Sequence, residues 1–482
     1  MEEIKKQDSI ARNTTYYTSA LIIQKVLAFV YFSLIARFLG TEDTGKYVFA
    51  LSFTTLFAIF IDLGLAAVLT REVAKYKEKT QDYLANIIAL KIPLAVVTYL
   101  AVVVMINILG YPTLTKNLVY ISGVIMFLDS FTMTFWAVMR GHQKLKYESI
   151  GVVGLQLITV MLGVLVLYFH LGLVFLMTAL LCGSLFNLIF SIIKISQYLK
   201  IKIITHYEPA VLKTLFIIGI PFALNGIFSR IYSSLDTVLL SILRGDADVG
   251  WYSIPSKVTS ALQFLPMAFM AALFPAMSEY FATDKERLRK TFEKAMHYLM
   301  IISLPLAAGV IVLAEPVVLK IYTADYVNSI LPLKILMVSL FFLFINYPVG
   351  YLLNAGNKQV TNTVISGVTV LVSVISNIIL IPKYGYLGAA VSSLVSTVVL
   401  FILGMYWVPK IINYNPWYLI GNFLKALLAA IIMAGVIYFL LPRVNFLILI
   451  PLGAVVYFGA LFIFRGVGKR DFLDIWESIT KS

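Results

Sequence analysis

Long runs of apolar residues follow one another along almost the whole chain, separated by short charged or glycine-containing connections. Each run has about 20 residues or more, the length that an α-helix needs to span a hydrocarbon core of ~30 Å. The runs lack the polar face that a helix of a soluble domain requires. With 60% hydrophobic and 13% charged residues, the chain lies far from the soluble averages of about 45–50% and 25%. The sequence therefore predicts an all-α, polytopic membrane protein.

We predict fourteen transmembrane segments and two cytoplasmic termini, in a multi-pass protein of the cell membrane. The connections that hold several Lys and Arg residues all fall on one side, which the positive-inside rule assigns to the cytoplasm. These loops and their attraction to anionic lipid explain the net charge of +14, so no nucleic-acid partner is expected. The predicted segments are 14–38, 46–69, 84–109, 117–139, 149–169, 172–196, 213–243, 253–279, 295–314, 331–354, 361–382, 386–408, 417–440 and 444–465.

The connection after the first segment matches most of a phosphate-binding loop. Gly40, Gly45 and Lys46 fit the pattern G-x-x-x-x-G-K. Tyr47, however, stands where a Ser or Thr hydroxyl should hold magnesium, and an apolar helix rather than a strand precedes the loop. No nucleotide is therefore expected to bind.

The same glycine frame recurs 205 residues later, at Gly245, Gly250 and Tyr252. Weaker echoes link Gly141 with Gly356, at the ends of the fourth and tenth segments. A repeat at a nearly fixed offset indicates an internal duplication, which predicts two parallel six-helix lobes with the substrate site between them. The predicted parts are an N-lobe (1–197), a cytoplasmic linker (198–212), a C-lobe (213–408), and two further helices with a cytoplasmic tail (409–482).

Two cations occupy equivalent positions of the duplication. Lys25 and Arg230 are 205 residues apart, and each lies fifteen residues before its motif glycine, about 22 Å at 1.5 Å per residue. Ionisable groups within spans indicate functional sites, and two such cations would suit a diphosphate, with Arg230 able to bind it bidentately. Local pairing or snorkelling is the alternative. Lys257 is a weaker substrate-binding candidate, and Lys91 is expected to snorkel or to stabilise a helix end.

Three carboxylates lie within predicted spans, at Asp62, Asp129 and Asp236. Each could take up a proton or a sodium ion and couple transport to an ion gradient. For Asp62 the alternative is a simple ion pair with Arg71 or another nearby cation. Asp129 begins a face rich in Ser and Thr, which is typical of a cavity wall.

Gly219 and Pro221 interrupt the seventh span, and a proline kink there would suit a gating helix, although a static kink is also compatible. The four histidines are scattered, and no metal-ligand spacing or catalytic constellation is present. We therefore expect a transporter and not an enzyme, without a cofactor, driven by Na⁺, H⁺ or the membrane potential.

In their order along the chain, these motifs resemble those of the Wzx-type oligosaccharide flippases. Those proteins are polysaccharide transporters of the multidrug/oligosaccharidyl-lipid/polysaccharide exporter superfamily, and the resemblance covers almost the whole chain. The motifs are Arg37-Phe38-Leu39-Gly40 with Gly45 and Tyr47, Asp62-Leu63-Gly64-Leu65, Arg71-Glu72, Arg140-Gly141-x-x-Lys144, Gly219-Ile220-Pro221 with Asp236, and Gly250-Trp251-Tyr252.

The resemblance implies two six-helix bundles that work by alternating access, with a polyprenyl-diphosphate-linked oligosaccharide as substrate. It also implies that the last two spans are the additional pair found in these transporters and in lipid II flippases. A lipid II flippase and a cation-coupled multidrug antiporter remain the alternative transport functions. A membrane glycosyltransferase would require a long outward loop, which the sequence lacks. The expected partners are the lipid-linked substrate and membrane lipids, and a monomer is expected.

Overall fold

The structure, a computed structural model, describes residues 2–200 and 205–466, with side chains from residue 16 onward except at a few positions between 210 and 225. Regular structure in these ranges is helical throughout, which confirms the predicted all-α fold. The helices are α1 (Glu2–Asp62), α2 (Leu65–Lys75), α3 (Thr80–Ile108), α4 (Thr113–Gly141), α5 (Leu145–Tyr168), α6 (Leu173–Leu199), α7 (Pro209–Arg244), α8 (Asp246–Leu262), α9 (Phe264–Thr283), α10 (Lys285–Ile321), α11 (Ile330–Ala355), α12 (Gln359–Tyr384), α13 (Tyr386–Trp407), α14 (Pro416–Leu440) and α15 (Phe446–Ile463).

Within the described ranges, thirteen helical stretches are long and apolar enough to cross a membrane. The first, Tyr16–Asp62 in α1, has 47 residues, about 70 Å at 1.5 Å per residue. Because this is more than twice the ~30 Å hydrocarbon core, α1 accounts for two crossings, and the total agrees with the predicted fourteen. The two crossings meet at Gly40, whose φ of 75° and ψ of −176° lie in a region that is essentially restricted to glycine.

The second glycine motif has the same backbone turn. Gly245, between α7 and α8, has a φ of 101° and a ψ of 179°. The later glycine of each motif packs against the other copy: a Cβ atom on Gly45 would overlap the carbonyl oxygen of Asp246, and one on Gly250 would overlap that of Thr41. Since Thr41 and Asp246 are themselves 205 residues apart, the contact is reciprocal. The predicted duplication is therefore visible in the backbone.

The weaker echo is also structural. At the end of α4 the backbone N–H of Lys144 donates to the carbonyl of Met139 at 2.9 Å, and at the end of α11 that of Lys358 donates to Leu353 at 2.8 Å. The residue before each lysine is left-handed, with φ values of 59° and 57°. The two helices thus end in the same hydrogen-bonded turn.

The chain forms two compact units, residues 1–253 and 254–482. In the first unit, α1 packs against α3, α4, α5 and α7, and α2 packs against α4 and α7. Helix α7 belongs to this unit because it packs on α1 and α2, so the unit boundary differs from the linker predicted at 198–212. The lobes inferred from the duplication stay a prediction, and residues 201–204 and 467–482 lie outside the described residues.

In the second unit, α10 packs against α9, α11, α14 and α15, and α13 lies against α11 and α12. The buried hydroxyl of Tyr457 in α15 donates to the carbonyl of Ile301 in α10 at 2.9 Å. The last two helices share one apolar core with α10. They are therefore an integral part of this unit.

We predict that Gly45→Ala and Gly250→Ala each lower the free energy of unfolding by about 1–3 kcal/mol. The added methyl group clashes with a backbone carbonyl, which cannot avoid the clash by a change of rotamer as a side chain could. Thermal unfolding of the purified protein in detergent measures the effect. Gly435→Ala in α14 is the matched control, since nothing lies within 4 Å of its Cβ position. Equal melting temperatures for all three variants would contradict the reciprocal contact.

Candidate functional site

Helices α1, α4, α6 and α7 of the first unit line a polar cavity of about 230 Å³. Helix α1 contributes Thr54 and Asp62, α4 contributes Ser122 and Asp129, and α7 contributes Arg230. The structure thus brings together two of the three predicted carboxylates and one of the two repeat-related cations. The other lining residues are Leu51, Thr55, Ala58, Ile125, Met126, Ser130, Met133 and Leu180.

Hydroxyl groups on the cavity wall are held mainly by the helices themselves. Thr54 hydrogen-bonds the carbonyl of Ala50 at 3.1 Å, and its Oγ1 lies 2.6 Å from Oγ of Ser122 on α4. Thr55 bonds the carbonyl of Leu51 at 2.7 Å. Such bonds to the preceding turn let a hydroxyl lie in an apolar helix without a water partner. They fix the wall on which the charged groups are placed.

Lys91 on α3 holds the carboxylate of Asp62 in place. Its side chain is fully buried, and Nζ donates to Oδ1 of Asp62 at 2.7 Å. The same ammonium group donates to the carbonyl of Ser130 at 3.0 Å and to Oγ1 of Thr134 at 2.7 Å. An ammonium group has three N–H donors, and all three find acceptors. A charge that is costly in a low-dielectric environment is thereby both paired and hydrogen-bonded.

One expectation about these residues was wrong: Lys91 does not snorkel, because α1, α3 and α4 close around it. The alternative of an ion pair for Asp62 is confirmed, with Lys91 as the nearby cation. Arg71 is not that partner; its Nε lies 3.7 Å from Oε1 of its neighbour Glu72, and half of the Arg71 side chain is exposed. The sequence carried one signal for the true arrangement, the run of Ser and Thr residues that follows Asp129 on α4.

Arg230 is the other cation of the site, and its situation differs. It is half-buried on the cavity wall and interacts electrostatically with both Asp62 and Asp129. Among the described residues, no carboxylate oxygen lies within the 4.0 Å of an ion pair with Arg230. Because Lys91 already neutralises Asp62, the exchangeable groups of the cavity are the Asp129 carboxylate and the Arg230 guanidinium. This arrangement can bind an anion at Arg230 or a cation at Asp129.

The remaining predicted residues lie elsewhere. Lys25 is exposed and does not line the cavity. Lys257 is exposed on the part of α8 that belongs to the second unit. Asp236 is buried in the first unit, where Oδ2 accepts a hydrogen bond from the Tyr252 hydroxyl at 3.0 Å. Equivalent positions in the sequence repeat therefore do not give Lys25 and Arg230 equal surroundings.

Gly219 and Pro221 lie within α7, which runs without a break in helical assignment from residue 209 to residue 244. A Cβ on Gly219 would come within 3.5 Å of the Leu63 carbonyl oxygen and 3.6 Å of Val68, which is ordinary contact. The side chain of Pro221 lies outside the described residues. Their gating role stays a prediction.

Sequence reasoning missed a second ion pair in the first unit. Arg140 binds Glu148 bidentately, with Nε 2.8 Å from Oε2 and Nη2 2.6 Å from Oε1. The hydroxyl of Tyr17 donates to the same carboxylate at 3.3 Å. Glu148 is almost fully buried. This pair explains why an arginine precedes the glycine in the Arg140-Gly141 motif, since it ties the end of α4 to the start of α5 and to α1.

The comparison with known sequences gives the family. Residues 10–281, more than half of the chain, match the sequence profile of the family described as Polysaccharide biosynthesis protein. The chain belongs to this family. Residues 221–379 also match the MatE profile. Among the described residues, no group of three or more His, Cys, Asp or Glu side chains could hold a metal ion.

The chain is similar to several known proteins over most of their length, at low sequence identity. One is the "Capsular polysaccharide biosynthesis protein CapF" of Staphylococcus aureus, 23% identical over 83% of this chain and 100% of that protein. Another is the "Probable low-salt glycan biosynthesis flippase Agl15" of Haloferax volcanii, 22% identical over 94% of each chain. Among solved structures, the lipid II flippase MurJ in an inward closed conformation has a TM-score of 0.78 at 18% identity, covering 95% of this chain and 99% of MurJ. The chain therefore shares the fold of MurJ.

We predict that Lys91→Met lowers the free energy of unfolding by about 3–5 kcal/mol, because it leaves the largely buried Asp62 carboxylate without its partner. Adding Asp62→Asn should recover most of this loss, since the remaining amide carries no charge. Thermal unfolding of the single and double variants measures the coupling.

Lys46→Met is the matched control. Lys46 pairs at 2.9 Å with Glu42, whose side chain is 69% exposed, so a change of at most about 1 kcal/mol is expected. Loss of stability that is simply additive in the Lys91 and Asp62 variants would contradict the pairing.

Proposed function

We propose that this protein is a flippase that moves a polyprenyl-diphosphate-linked oligosaccharide from the cytoplasmic to the outer leaflet by alternating access, for polysaccharide or glycan biosynthesis. Membership of the polysaccharide biosynthesis family and the names of its relatives support this function. At the level of the site, the observation that carries the proposal is the Arg230 guanidinium on the cavity wall. It has no ion pair among the residues that the structure describes.

A diphosphate fits this chemistry. Guanidinium groups bind phosphate oxygens through two parallel N–H···O bonds, and α7 holds that group inside the span. Pockets for drug-sized ligands have about 300–1,000 Å³, whereas this cavity has about 230 Å³. The cavity in this state can hold the charged group but not a chain of sugar rings, so the cavity wall has to open to admit the glycan. Lys25, at the same depth in the first repeat, would then make the second phosphate contact.

Asp129 is the carboxylate that we propose for coupling. Lys91 pairs with Asp62, and Tyr252 hydrogen-bonds Asp236, so neither carboxylate is as open to an exchanging ion. When the diphosphate binds Arg230, the guanidinium no longer balances the negative charge of Asp129. Uptake of H⁺ or Na⁺ by the Asp129 carboxylate then balances that charge. Uptake and release of a cation at Asp129 move charge within the membrane, so this exchange can also respond to the membrane potential.

The topology that goes with this function has both termini in the cytoplasm of a cell-membrane protein that acts as a monomer without a cofactor. The basic connections support that orientation. Transport rather than catalysis is supported by the names of the relatives.

A second candidate is a lipid II flippase or a cation-coupled multidrug antiporter. The structural similarity to MurJ over nearly the whole chain and the MatE match over residues 221–379 support this second candidate. A lipid II flippase would also handle a diphosphate lipid, so only the choice of glycan separates it from the first candidate.

The decisive measurement is translocation of a fluorescent polyprenyl-diphosphate oligosaccharide in liposomes that contain the purified protein. We expect Arg230→Ala to slow translocation about tenfold or more, because a hydrogen bond to a charged group contributes about 1.5–3 kcal/mol and 1.4 kcal/mol is a factor of ten. Lys25→Ala should reduce the rate less, because a lysine acts as a point charge.

Arg244→Ala is the matched control on the same helix, since Arg244 is exposed and pairs with Asp248 at 3.6 Å. If Arg230→Ala translocates the lipid at the wild-type rate, the proposed function stands, but Arg230 is not its substrate site. Translocation of lipid II alone, or ion-driven drug efflux without lipid movement, would establish the second candidate.

We further predict that Asp129→Asn removes the dependence of translocation on an imposed H⁺ or Na⁺ gradient, because an amide cannot exchange a cation. Asp236→Asn should leave that dependence intact. The measurement is the ratio of rates with and without the gradient in the same liposomes. A ratio that stays at the wild-type value in Asp129→Asn would exclude this carboxylate as the coupling group.

A further inference from the structure

The second unit contains an apolar slot of about 320 Å³ between α10, α11, α13 and α14. Its walls include Met296 and Met300 of α10, Phe341 of α11, Met405 of α13 and Phe423 of α14. Methionine is flexible and polarisable, so walls of this composition adapt to an irregular hydrocarbon chain. The proposed substrate site, at Arg230 in the first unit, does not include this slot.

A polar mouth lies next to the slot. That mouth, a cavity of about 730 Å³, is lined by Lys285, Glu286 and Arg289 at the start of α10 and by residues 411–416, which connect α13 to α14. Two residues, Tyr414 and Pro416, line both the mouth and the slot. The mouth and the slot are therefore neighbours, and together they offer a charged end and an apolar end.

Lys285 is the cation of the mouth for which the described residues supply no carboxylate partner. Arg289 is occupied, because Nε lies 2.8 Å from Oε2 of Glu286 and Nη1 lies 3.1 Å from Oε1 of Glu293. Within the described residues, no ion pair within 4.0 Å involves Lys285; its ammonium group lies 3.1 Å from the centroid of the Phe281 ring. A positive charge held over an aromatic ring at the entrance remains available to an anion.

The mouth is also well ordered by hydrogen bonds. Glu293 accepts the backbone N–H of Asn415 at 2.8 Å while it binds Arg289. The side chain of Asn415 in turn accepts from the backbone N–H of Tyr418 at the start of α14. The connection that forms one wall is thus tied to α10, and the site is preformed.

We propose that this mouth and slot bind an anionic phospholipid of the surrounding membrane as a resident lipid. Its phosphate contacts Lys285, and one of its hydrocarbon chains lies in the slot. Charge complementarity favours this occupant, because the mouth has an unneutralised cation and the slot is almost entirely apolar. A zwitterionic lipid would bring its own cation to Lys285 and is disfavoured. The bound lipid is a structural partner of the second unit and is distinct from the transported substrate.

The test is native mass spectrometry of the full-length protein purified from vesicles that contain phosphatidylglycerol and phosphatidylcholine. Wild type should retain phosphatidylglycerol in preference to phosphatidylcholine. Lys285→Glu should reduce that retention about tenfold, as expected for loss of a charged contact. Met405→Trp should do the same by filling the slot.

Two controls match these changes. Lys290→Glu makes the same charge change on the same helix at a residue that is 64% exposed and does not line the mouth. Ile402→Trp adds the same ring to the exposed side of α13. Both controls should retain phosphatidylglycerol as wild type does. Thermal unfolding with added phosphatidylglycerol gives a second readout, in which only wild type and the controls should be stabilised.

Three results would overturn the proposal. The first is a wild type that retains no phosphatidylglycerol, or as much phosphatidylcholine. The second is retention that survives Met405→Trp, which would place the lipid on the basic surface and not in the slot. The third is displacement of phosphatidylglycerol by a polyprenyl phosphate, which would make the slot a tail site for the transported lipid. None of these results depends on whether Arg230 binds the substrate.

Discussion

A hydrocarbon environment offers no water to a polar group, so each such group inside the membrane has to be satisfied by the protein itself. That constraint explains why the regular structure is helical, why Thr54 and Thr55 bond to the preceding turn, and why Lys91 has three acceptors. It also gives meaning to Arg230, which lines a cavity but lacks an ion pair in the described part of the chain. Since the other charges of this cavity wall are paired or hydrogen-bonded, this difference is the reason why we propose Arg230 as the contact for a ligand.

Apolar run length and glycine spacing were enough to predict the fold. Every predicted segment lies in helical structure, because a span of hydrocarbon fixes helix length directly. The breaks within two of them, between α1 and α2 and between α8 and α9, were not predicted. The site was predicted only in part. Asp62, Asp129 and Arg230 were selected one at a time as costly residues, whereas the pairing of Asp62 with Lys91 depends on how α1, α3 and α4 meet. Sequence spacing carries no information on that meeting. It therefore left the partner of Asp62 open between Arg71 and another cation, and it predicted snorkelling or a helix-end role for Lys91.

The duplication preserved the scaffold but not the chemistry. Backbone turns at Gly40 and Gly245 match, and so do the helix ends at Lys144 and Lys358. The charged groups, in contrast, are not repeated: the residue 214 positions after Asp129 is Leu343. Helices that repeat while their ionic groups do not can bind an asymmetric ligand in one orientation. The same lack of repetition explains why Lys25 and Arg230, which occupy equivalent positions of the repeat, differ in surroundings.

The reciprocal packing of Gly45 and Gly250 has a consequence for biogenesis. The carbonyl against which Gly45 packs belongs to a residue about 200 positions later, so this contact does not exist when the first helical pair enters the bilayer. At roughly 5–20 residues per second, the ribosome needs roughly 10–40 s to supply the partner. Before that time the surface around Gly45 lacks this partner. The contact between the two repeats therefore forms only after α7 and α8 have been made, and the first repeat cannot complete its packing alone.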